Sequence, residues 1–329
     1  MEAAWARGAA FDPRLGKSPL AEVVERWYAG AVPALKPKTR ASYRGLIDVR
    51  ILPYLGRRPV GTLAPSDIQT WVNQLIGEGL SSSRIRQAHI VLGMALDQAV
   101  NDGSIVRNPA RRSGVKLPRL ERRQPVFLPP EDVERIAAAC PEPYDLLIRL
   151  LVGTGLRWGE AVALRRRSVD LTKGQLIVTE SLAEIGGEMT FGPTKSHAER
   201  TVWLTKSLVD ALETHLDRRV GRGRDALVFT SEKGRPLRYS NFRREFWVPA
   251  LKAAKVDPVG IHVLRHSAAA FMIQAGASSK ALQMNLGHQS AGFTLSVYGH
   301  VSEQDLAAIA ERLEEILSLG TTDDDHEAR

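Results

Sequence analysis

The stretch LGHQSAGFTLSVYGHV, residues 286–301, places Tyr298 ten residues after His288 in a segment rich in small and turn-forming residues. The chain contains only 6 tyrosines. A phenol can form a covalent intermediate, but its pKa is about 10, so it needs a base and a positive field to lose its proton. Tyr298 is therefore a candidate nucleophile, and other segments must supply the groups that activate it.

Three other segments contain candidates for the same site. GTGLRWGEAVAL provides Arg157 and Glu160, GPTKSHAERTV provides Lys195, and IHVLRHSAAAF provides His262 and Arg265. Each segment alone is a weak signal, because a surface arginine or lysine usually forms only a solvated ion pair. His262 and Arg265 are three residues apart and so lie on one face of a helix.

Together these side chains suit a phosphodiester. Each of the two guanidiniums can donate to two phosphate oxygens in a planar fork. No cluster of Asp or Glu is evident that would hold Mg²⁺, so the cations themselves would neutralise the charge that develops on the pentacoordinate phosphorus. We therefore expect the site to work without a metal and without a cofactor.

In order and approximate spacing, these motifs resemble the signature of the tyrosine recombinase family, the phage-type integrases. The resemblance covers about residues 18–318. It implies that Tyr298 attacks the scissile phosphate of duplex DNA, forms a 3′-phosphotyrosyl bond and releases a 5′-hydroxyl. Because the bond energy is conserved, religation needs no ATP.

The resemblance also implies a role for each of the other catalytic residues. Arg157 and Arg265 would bind the non-bridging oxygens, and Lys195 would protonate the leaving 5′ oxygen. His262 would exchange the proton of the tyrosine, and His288 would donate a hydrogen bond to the phosphate.

The remaining polar and aromatic candidates have simpler interpretations. Glu160, one turn after Arg157, is expected to orient basic side chains rather than to react. His266 suits a supporting residue of the pocket and a core residue equally well. Trp203 and Trp247 are expected to be packing residues rather than residues that stack on bases. Four other histidines are isolated and form no metal-binding spacing: His89, His197, His215 and His300.

Composition favours a DNA-binding protein inside the cell. The formal net charge is +8, and residues 303–329 carry nine acidic but only two basic side chains, so the rest of the chain is strongly basic. The single cysteine, Cys140, excludes an internal disulfide. No signal peptide or transmembrane stretch is recognisable, which predicts a cytoplasmic protein associated with the nucleoid when bound to DNA.

The pattern of apolar residues predicts a mainly α fold with a small antiparallel β-sheet in the catalytic domain, an α+β class. The expected domains are a helical, SAM-like core-binding domain over residues 18–108 and a catalytic integrase domain over residues 126–318. A connector-like segment, residues 1–17, precedes them, and an acidic tail, residues 319–329, follows. By the resemblance, the two domains form a clamp around DNA.

Residues 109–125 are predicted to be a basic, extended interdomain linker. This linker could be a solvated connector with no further role, or it could lie along the phosphate backbone of DNA. The last predicted helix, residues 303–317, could pack on its own domain or on a neighbouring subunit.

Three functions stay open at this point. The first is a site-specific recombinase that acts as a homotetramer on paired attachment sites, with host or phage accessory factors. The second is a type IB topoisomerase-like relaxer, which shares the chemistry but needs no paired sites. The third is a catalytically idle DNA-binding regulator derived from an integrase. The attachment-site sequence, the direction of recombination and the origin of the element cannot be read from one sequence.

Overall fold

The structure is a computed structural model that describes residue 12 and residues 14–111, 114–120, 126–194 and 199–287. The chain divides into two compact units, with the boundary between Arg123 and Gln124 and with Ile185–Glu188 grouped with the first unit. Within the part of the chain that is described, no helix combines the length and the apolar character needed to cross a bilayer.

The first unit is built from helices. The α-helices are α1 Leu20–Ala31, α2 Pro37–Leu46, α3 Leu52–Leu55, α4 Pro65–Gly77 and α5 Ser82–Asn101. A π-helical turn, Ile47–Ile51, joins α2 to α3, and short 3₁₀ turns occupy Leu15–Lys17, Val32–Ala34, Val60–Thr62 and Pro109–Arg111. Helix α5 buries its apolar face, including Ile85, Leu92 and Leu96, against α1, and this face forms the centre of the unit's core.

The described part of the predicted linker lies along the first unit. The backbone N–H of Lys116 donates to Oε1 of Gln69 at 2.6 Å, and Nε of Arg86 donates to the carbonyl of Pro118 at 2.9 Å. Val115 and Leu117 pack against the core of the unit. The chain up to this point is therefore attached to the helical unit, and the predicted domain limits stay predictions.

The second unit contains helices and short strands. Its α-helices are α6 Pro130–Ala138, α7 Tyr144–Thr154, α8 Trp158–Ala161, α9 Lys206–Arg219, α10 Tyr239–Phe242, α11 Val248–Ala253, α12 Val263–Gln274 and α13 Ser279–Leu286. A 3₁₀ turn occupies Arg166–Ser168, and a π-helical turn, Arg243–Trp247, joins α10 to α11. The strands are β1 Val169–Asp170, β2 Gln175–Val178, β3 Glu180–Ile185, β4 Glu188–Pro193 and β5 Arg200–Trp203.

The strands form two small sheets. In the first sheet, β2 lies between β1 and β5 and is antiparallel to both, with Leu176 opposite Val202. In the second sheet, β3 pairs with β4, because the left-handed glycines Gly186 and Gly187 close a tight turn between them. The predicted fold class is confirmed, but the strands that were expected to form one sheet are divided between two.

Helix α7 is the centre of the second core. It buries every residue from Leu146 to Leu151 except Arg149, and α6, α9 and α12 pack around it. The prediction for Trp247 is confirmed, because its side chain is fully buried and its Nε1 donates to the carbonyl of Val259 at 2.8 Å. The prediction for Trp203 is wrong. This residue is 67% exposed, because it alternates outward on β5 while Val202 points into the core.

Candidate active site

A sharp turn between α7 and α8 positions the first two site residues. Helix α7 ends at Thr154, and Gly155 follows in the left-handed conformation with φ = 68°. Arg157 is then the N-cap of α8, and its backbone N–H donates to Oε2 of Glu160 at 3.0 Å. This contact turns the carboxylate back toward the start of its own helix, as in one half of a capping box.

The carboxylate of Glu160 is the centre of a buried charge network. Nη1 of Arg157 donates to Oε1 at 2.8 Å, while Arg200 donates to Oε1 at 3.1 Å and to Oε2 at 2.6 Å. Glu160 is only 1% exposed, and burial alone would raise its pKa. The hydrogen bonds and charges of Arg200 and Arg157 outweigh burial, so the pKa of Glu160 lies below its ordinary value and the group is ionised.

The C-terminal end of α13 reaches the same network through its backbone. The helix ends at Leu286, and Gly287 follows in the left-handed conformation with φ = 65°. The three consecutive carbonyls of residues 285–287 accept, in order, from Nε of Arg200 at 2.9 Å, Nη2 of Arg265 at 2.7 Å and Nη2 of Arg157 at 3.1 Å. Three guanidiniums from separate segments therefore meet at one helix end.

Helix α12 provides the second arginine. Arg265 lies in its first turn and is buried, and its Nη1 also donates to the carbonyl of Gly155 at 2.5 Å. The guanidinium thus joins the turn after α7 to the end of α13. Asn285 makes a parallel connection, because its Nδ2 donates to the carbonyl of Thr154 at 3.0 Å.

His262 is the N-cap of α12, and its ring lies 4.9 Å from that of His266 in an edge-to-face arrangement. Although solvent reaches one side of His262, burial of the rest together with the charges of His266, Arg265 and Arg157 lowers its pKa to about 4. Burial and Arg265 also lower the pKa of His266. His262 is therefore neutral near pH 7 and can accept a proton.

The structure brings together four of the seven residues predicted for the site: Arg157, Glu160, His262 and Arg265. The other three, Lys195, His288 and Tyr298, lie outside the described residues, as does the predicted last helix. Their places in the site stay predictions.

Arg200 is a site residue that the sequence analysis missed. A usable signal is present in the alternation of β5, since Arg200 and Val202 lie on one side of the strand and Thr201 and Trp203 on the other. Because Arg200 shares a strand face with the core residue Val202, its charge is buried and requires a buried group of opposite charge. Glu160 is that carboxylate.

No group of three His, Cys, Asp or Glu that could hold a metal ion occurs among the residues described. His215 has a structural role, because its Nε2 is hydrogen-bonded to the carbonyl of Val228 at 2.7 Å and its ring stacks on Phe229. His89 is buried in α5.

Known protein families match parts of both units of the chain. Residues 126–305 match the phage integrase family, and residues 20–76 match the N-terminal SAM-like domain of phage integrases. The putative prophage phiRv2 integrase of Mycobacterium tuberculosis strain CDC 1551 is 30% identical over 318 residues, covering 94% of this chain and 82% of that protein. The integrase of Mycobacterium phage L5 is 29% identical over 283 residues, covering 84% of this chain and 74% of that protein.

Solved structures share the fold at lower identity. The Tn1549 transposon integrase in complex with a circular intermediate DNA superposes with a TM-score of 0.76 at 22% identity, over 88% of this chain and 99% of that chain. A lambda integrase tetramer bound to a Holliday junction superposes with a TM-score of 0.66 at 22% identity, over 87% of this chain and 80% of that chain.

Proposed function

The chain belongs to the phage integrase family and is an enzyme that breaks and rejoins DNA strands at specific sites, and we propose that it does so with Arg157, Arg265 and His262 around the scissile phosphate. In this proposal the reaction proceeds through a 3′-phosphotyrosyl intermediate and uses neither a metal nor ATP. The alternatives of a topoisomerase-like relaxer and of an idle regulator are not favoured by the relatives.

One observation carries the assignment of the phosphate site. Arg157 and Arg265 come from segments more than 100 residues apart, yet their guanidiniums donate to the adjacent carbonyls of Gly287 and Leu286. Two planar cations held this close can contact the non-bridging oxygens of one phosphate. Their charge would stabilise the additional negative charge of the transition state.

The lowered pKa of His262 keeps its ring unprotonated near pH 7, so a ring nitrogen is available to take a proton. A neutral imidazole beside two guanidiniums can take the phenolic proton of Tyr298 as the Tyr298 oxygen bonds to phosphorus. The P–O5′ bond then breaks, and the leaving oxygen takes a proton from Lys195. His288 donates to a phosphate oxygen. Religation is the same step in reverse, with the 5′-hydroxyl as the nucleophile.

We propose that the partners are duplex DNA attachment sites and further copies of this chain. Exchange between two duplexes requires four strand cleavages, and with one nucleophile in each chain this requires four chains. A homotetramer on DNA follows, with the last predicted helix between subunits and with host or phage accessory factors assisting. We place the protein with the nucleoid in the cytoplasm.

The test begins with the DNA substrate. Sequencing both flanks of the gene for a short direct repeat, for example within a tRNA gene, identifies the crossover sequence. A duplex of this sequence with a nick beside the cleavage position loses the short 5′-hydroxyl strand after cleavage, so a covalent protein–DNA adduct accumulates. We expect the wild type to form this adduct in EDTA and without ATP.

Two variants assign the roles. Tyr298→Phe is expected to bind the duplex in a gel shift and form no adduct, because only the nucleophilic oxygen is removed. Arg265→Lys is expected to lower the cleavage rate, because lysine cannot donate in a planar fork. An adduct formed by Tyr298→Phe would overturn the assignment, and efficient relaxation of plasmids without the crossover sequence would instead support a topoisomerase.

A further inference from the structure

We propose that Arg200 is a positioning residue for DNA cleavage, which it serves by fixing both the guanidinium of Arg157 and the end of α13. This inference rests on the proposed function, since it concerns the same phosphate site. Arg200 is not among the residues expected to touch the phosphate, and its three hydrogen bonds are to the two oxygens of Glu160 and to a backbone carbonyl.

Arg200 and Arg157 share the carboxylate of Glu160 unequally. The carboxylate has two oxygens, and Arg200 approaches both, at 2.6 Å and 3.1 Å. Arg157 is left with a single side-chain contact, from Nη1 to Oε1 at 2.8 Å. Without Arg200, the guanidinium of Arg157 could rotate to form its own two-pronged pair with Glu160, the geometry that arginine and carboxylate prefer. Arg200 thereby prevents Arg157 from turning its donors away from the phosphate.

Arg200 also holds the backbone at the end of α13. Nε of Arg200 donates to the carbonyl of Asn285 at 2.9 Å, two residues before the carbonyl that Arg157 contacts. A Cβ on Gly287 would lie 3.3 Å from Nη1 of Arg200, so the glycine backbone lies directly against this guanidinium. The chain continues from Gly287 into His288. Arg200 therefore links the carboxylate that holds Arg157 to the backbone at the end of α13, beside the carbonyls that Arg157 and Arg265 contact.

Burial makes this arrangement rigid. The side chain of Arg200 is 9% exposed and that of Glu160 is 1% exposed, so water does not compete for their hydrogen bonds. A buried ion pair contributes little net stability, because desolvation of both charges offsets their attraction. The buried pair can instead contribute a fixed geometry, which matters because the reaction rate depends on the alignment of the reacting groups.

A purely structural role for Arg200 gives a different result from a positioning role. If Arg200 only stabilises the fold, its replacement reduces the folded fraction and leaves the cleavage rate of the folded, DNA-bound protein unchanged. If Arg200 positions Arg157 and the α13 end, the cleavage rate at saturating DNA falls while the affinity for DNA changes little.

The experiment measures single-turnover adduct formation at saturating nicked duplex, together with the DNA dissociation constant and the melting temperature. Arg200→Lys keeps the charge but cannot donate to both Glu160 oxygens and to Asn285 at once. The double variant Arg200→Met with Glu160→Gln removes both charges and provides a second test if the single variant does not fold. Arg166→Lys is the matched control, because Arg166 also donates to a carbonyl of a helix, but to that of Leu216 in α9 rather than to α13.

For Arg200→Lys and for the double variant we expect cleavage at saturating DNA to slow by about 10- to 100-fold, the scale of small misalignments of reacting groups. DNA affinity should stay within about twofold of the wild type, because the phosphate contacts that dominate affinity are retained. The control should cleave like the wild type. Cleavage by a folded Arg200→Lys variant at the control's rate overturns the positioning role, as does failure of both Arg200 variants to fold. A wild type that forms no adduct overturns the proposed function itself, and the inference with it.

Discussion

The guanidinium of Arg200 and the carboxylate of Glu160 form a two-pronged ion pair at 2.6 Å and 3.1 Å, although they are 40 residues apart in the chain. Both side chains are buried, and the second partner of the carboxylate, Arg157, is one of the two arginines assigned to the phosphate. The pair joins strand β5 to helix α8. The sheet therefore contributes to the site through a charge as well as through packing.

Replacement of Glu160 by Gln should destabilise the protein near pH 7. The amide retains the shape of the side chain but leaves two buried or partly buried guanidiniums without a counter-charge, a change that costs about 3 kcal/mol. Urea unfolding at pH 7 measures the difference in the free energy of unfolding. Glu213→Gln, at an exposed position of helix α9, is the control for the same exchange and should change stability by less than about 1 kcal/mol.

The loss caused by Glu160→Gln should shrink in acid. Because the folded-state pKa of Glu160 lies below its ordinary value of 4.5, the stability that its ionisation contributes is complete above that pH and is lost as the pH falls through the folded-state pKa. The unfolding free energies of the wild type and the variant should converge below about pH 4.5. Parallel curves would contradict the assignment of an ionised Glu160.

Titration of His262 should show a midpoint well below that of an ordinary histidine. Its pKa is lowered to about 4, so the neutral ring is the folded-state form, and the stability that it contributes above about pH 6.5 is lost as the pH falls toward 4. NMR of the ring C–H signals, assigned with His262→Gln, measures the midpoint. Bound duplex should raise it, because the phosphate charge stabilises the imidazolium. A midpoint near 6.5 without DNA would sink this part of the mechanism.

Replacement of Gly287 by Ala should slow cleavage more than a comparable change elsewhere. The substitution meets two obstacles, a φ of +65° and the guanidinium of Arg200 at 3.3 Å from the new Cβ. Gly79→Ala is the matched control, since Gly79 also has a positive φ of +75° but has nothing within 4 Å of the added carbon. Each variant should lose about 1–2 kcal/mol of stability from the left-handed backbone. Only Gly287→Ala should also lower single-turnover cleavage, and equal cleavage by the two would show that the contact with Arg200 does not matter.

The two tryptophans of the second unit should respond differently to substitution. Trp247→Ala should cost about 3–5 kcal/mol, because it empties a buried volume and leaves the carbonyl of Val259 without its donor. Trp203→Ser should change stability by less than about 0.5 kcal/mol, as at other exposed positions. Thermal unfolding of both variants checks this. A large loss for Trp203→Ser would mean that its exposed face is covered.

Much of the site could be predicted from the sequence, because the residue types that the chemistry needs occur in separate, recognisable motifs. Arg157, His262 and Arg265 are recognisable from their order and from the chemistry that a phosphodiester needs, and the structure brings them together. Glu160 was expected to orient basic side chains, and Arg157 and Arg200 both donate to it. The motifs do not reveal which second cation shares the carboxylate, because that depends on how β5 pairs with β2.

The errors have a common physical origin. The helical regions follow from the spacing of apolar residues, whereas strands of two to six residues are too short for the sequence to fix their partners or their inward face. The division into two sheets and the exposed position of Trp203 both depend on such pairings. The described part of the predicted linker is likewise held by specific contacts, such as that between Gln69 and Lys116, which no composition signal indicates.

Alternation along β5 imposes an evolutionary constraint on this part of the chain. An insertion of one residue between Arg200 and Val202 would turn these two side chains to opposite faces of the strand, so the ion pair with Glu160 and the packing of Val202 could not both be kept. Because pairing with β2 sets the strand from Arg200 onward, the spacing from Arg200 to Val202 must stay even for the sheet to serve both the core and the charge network.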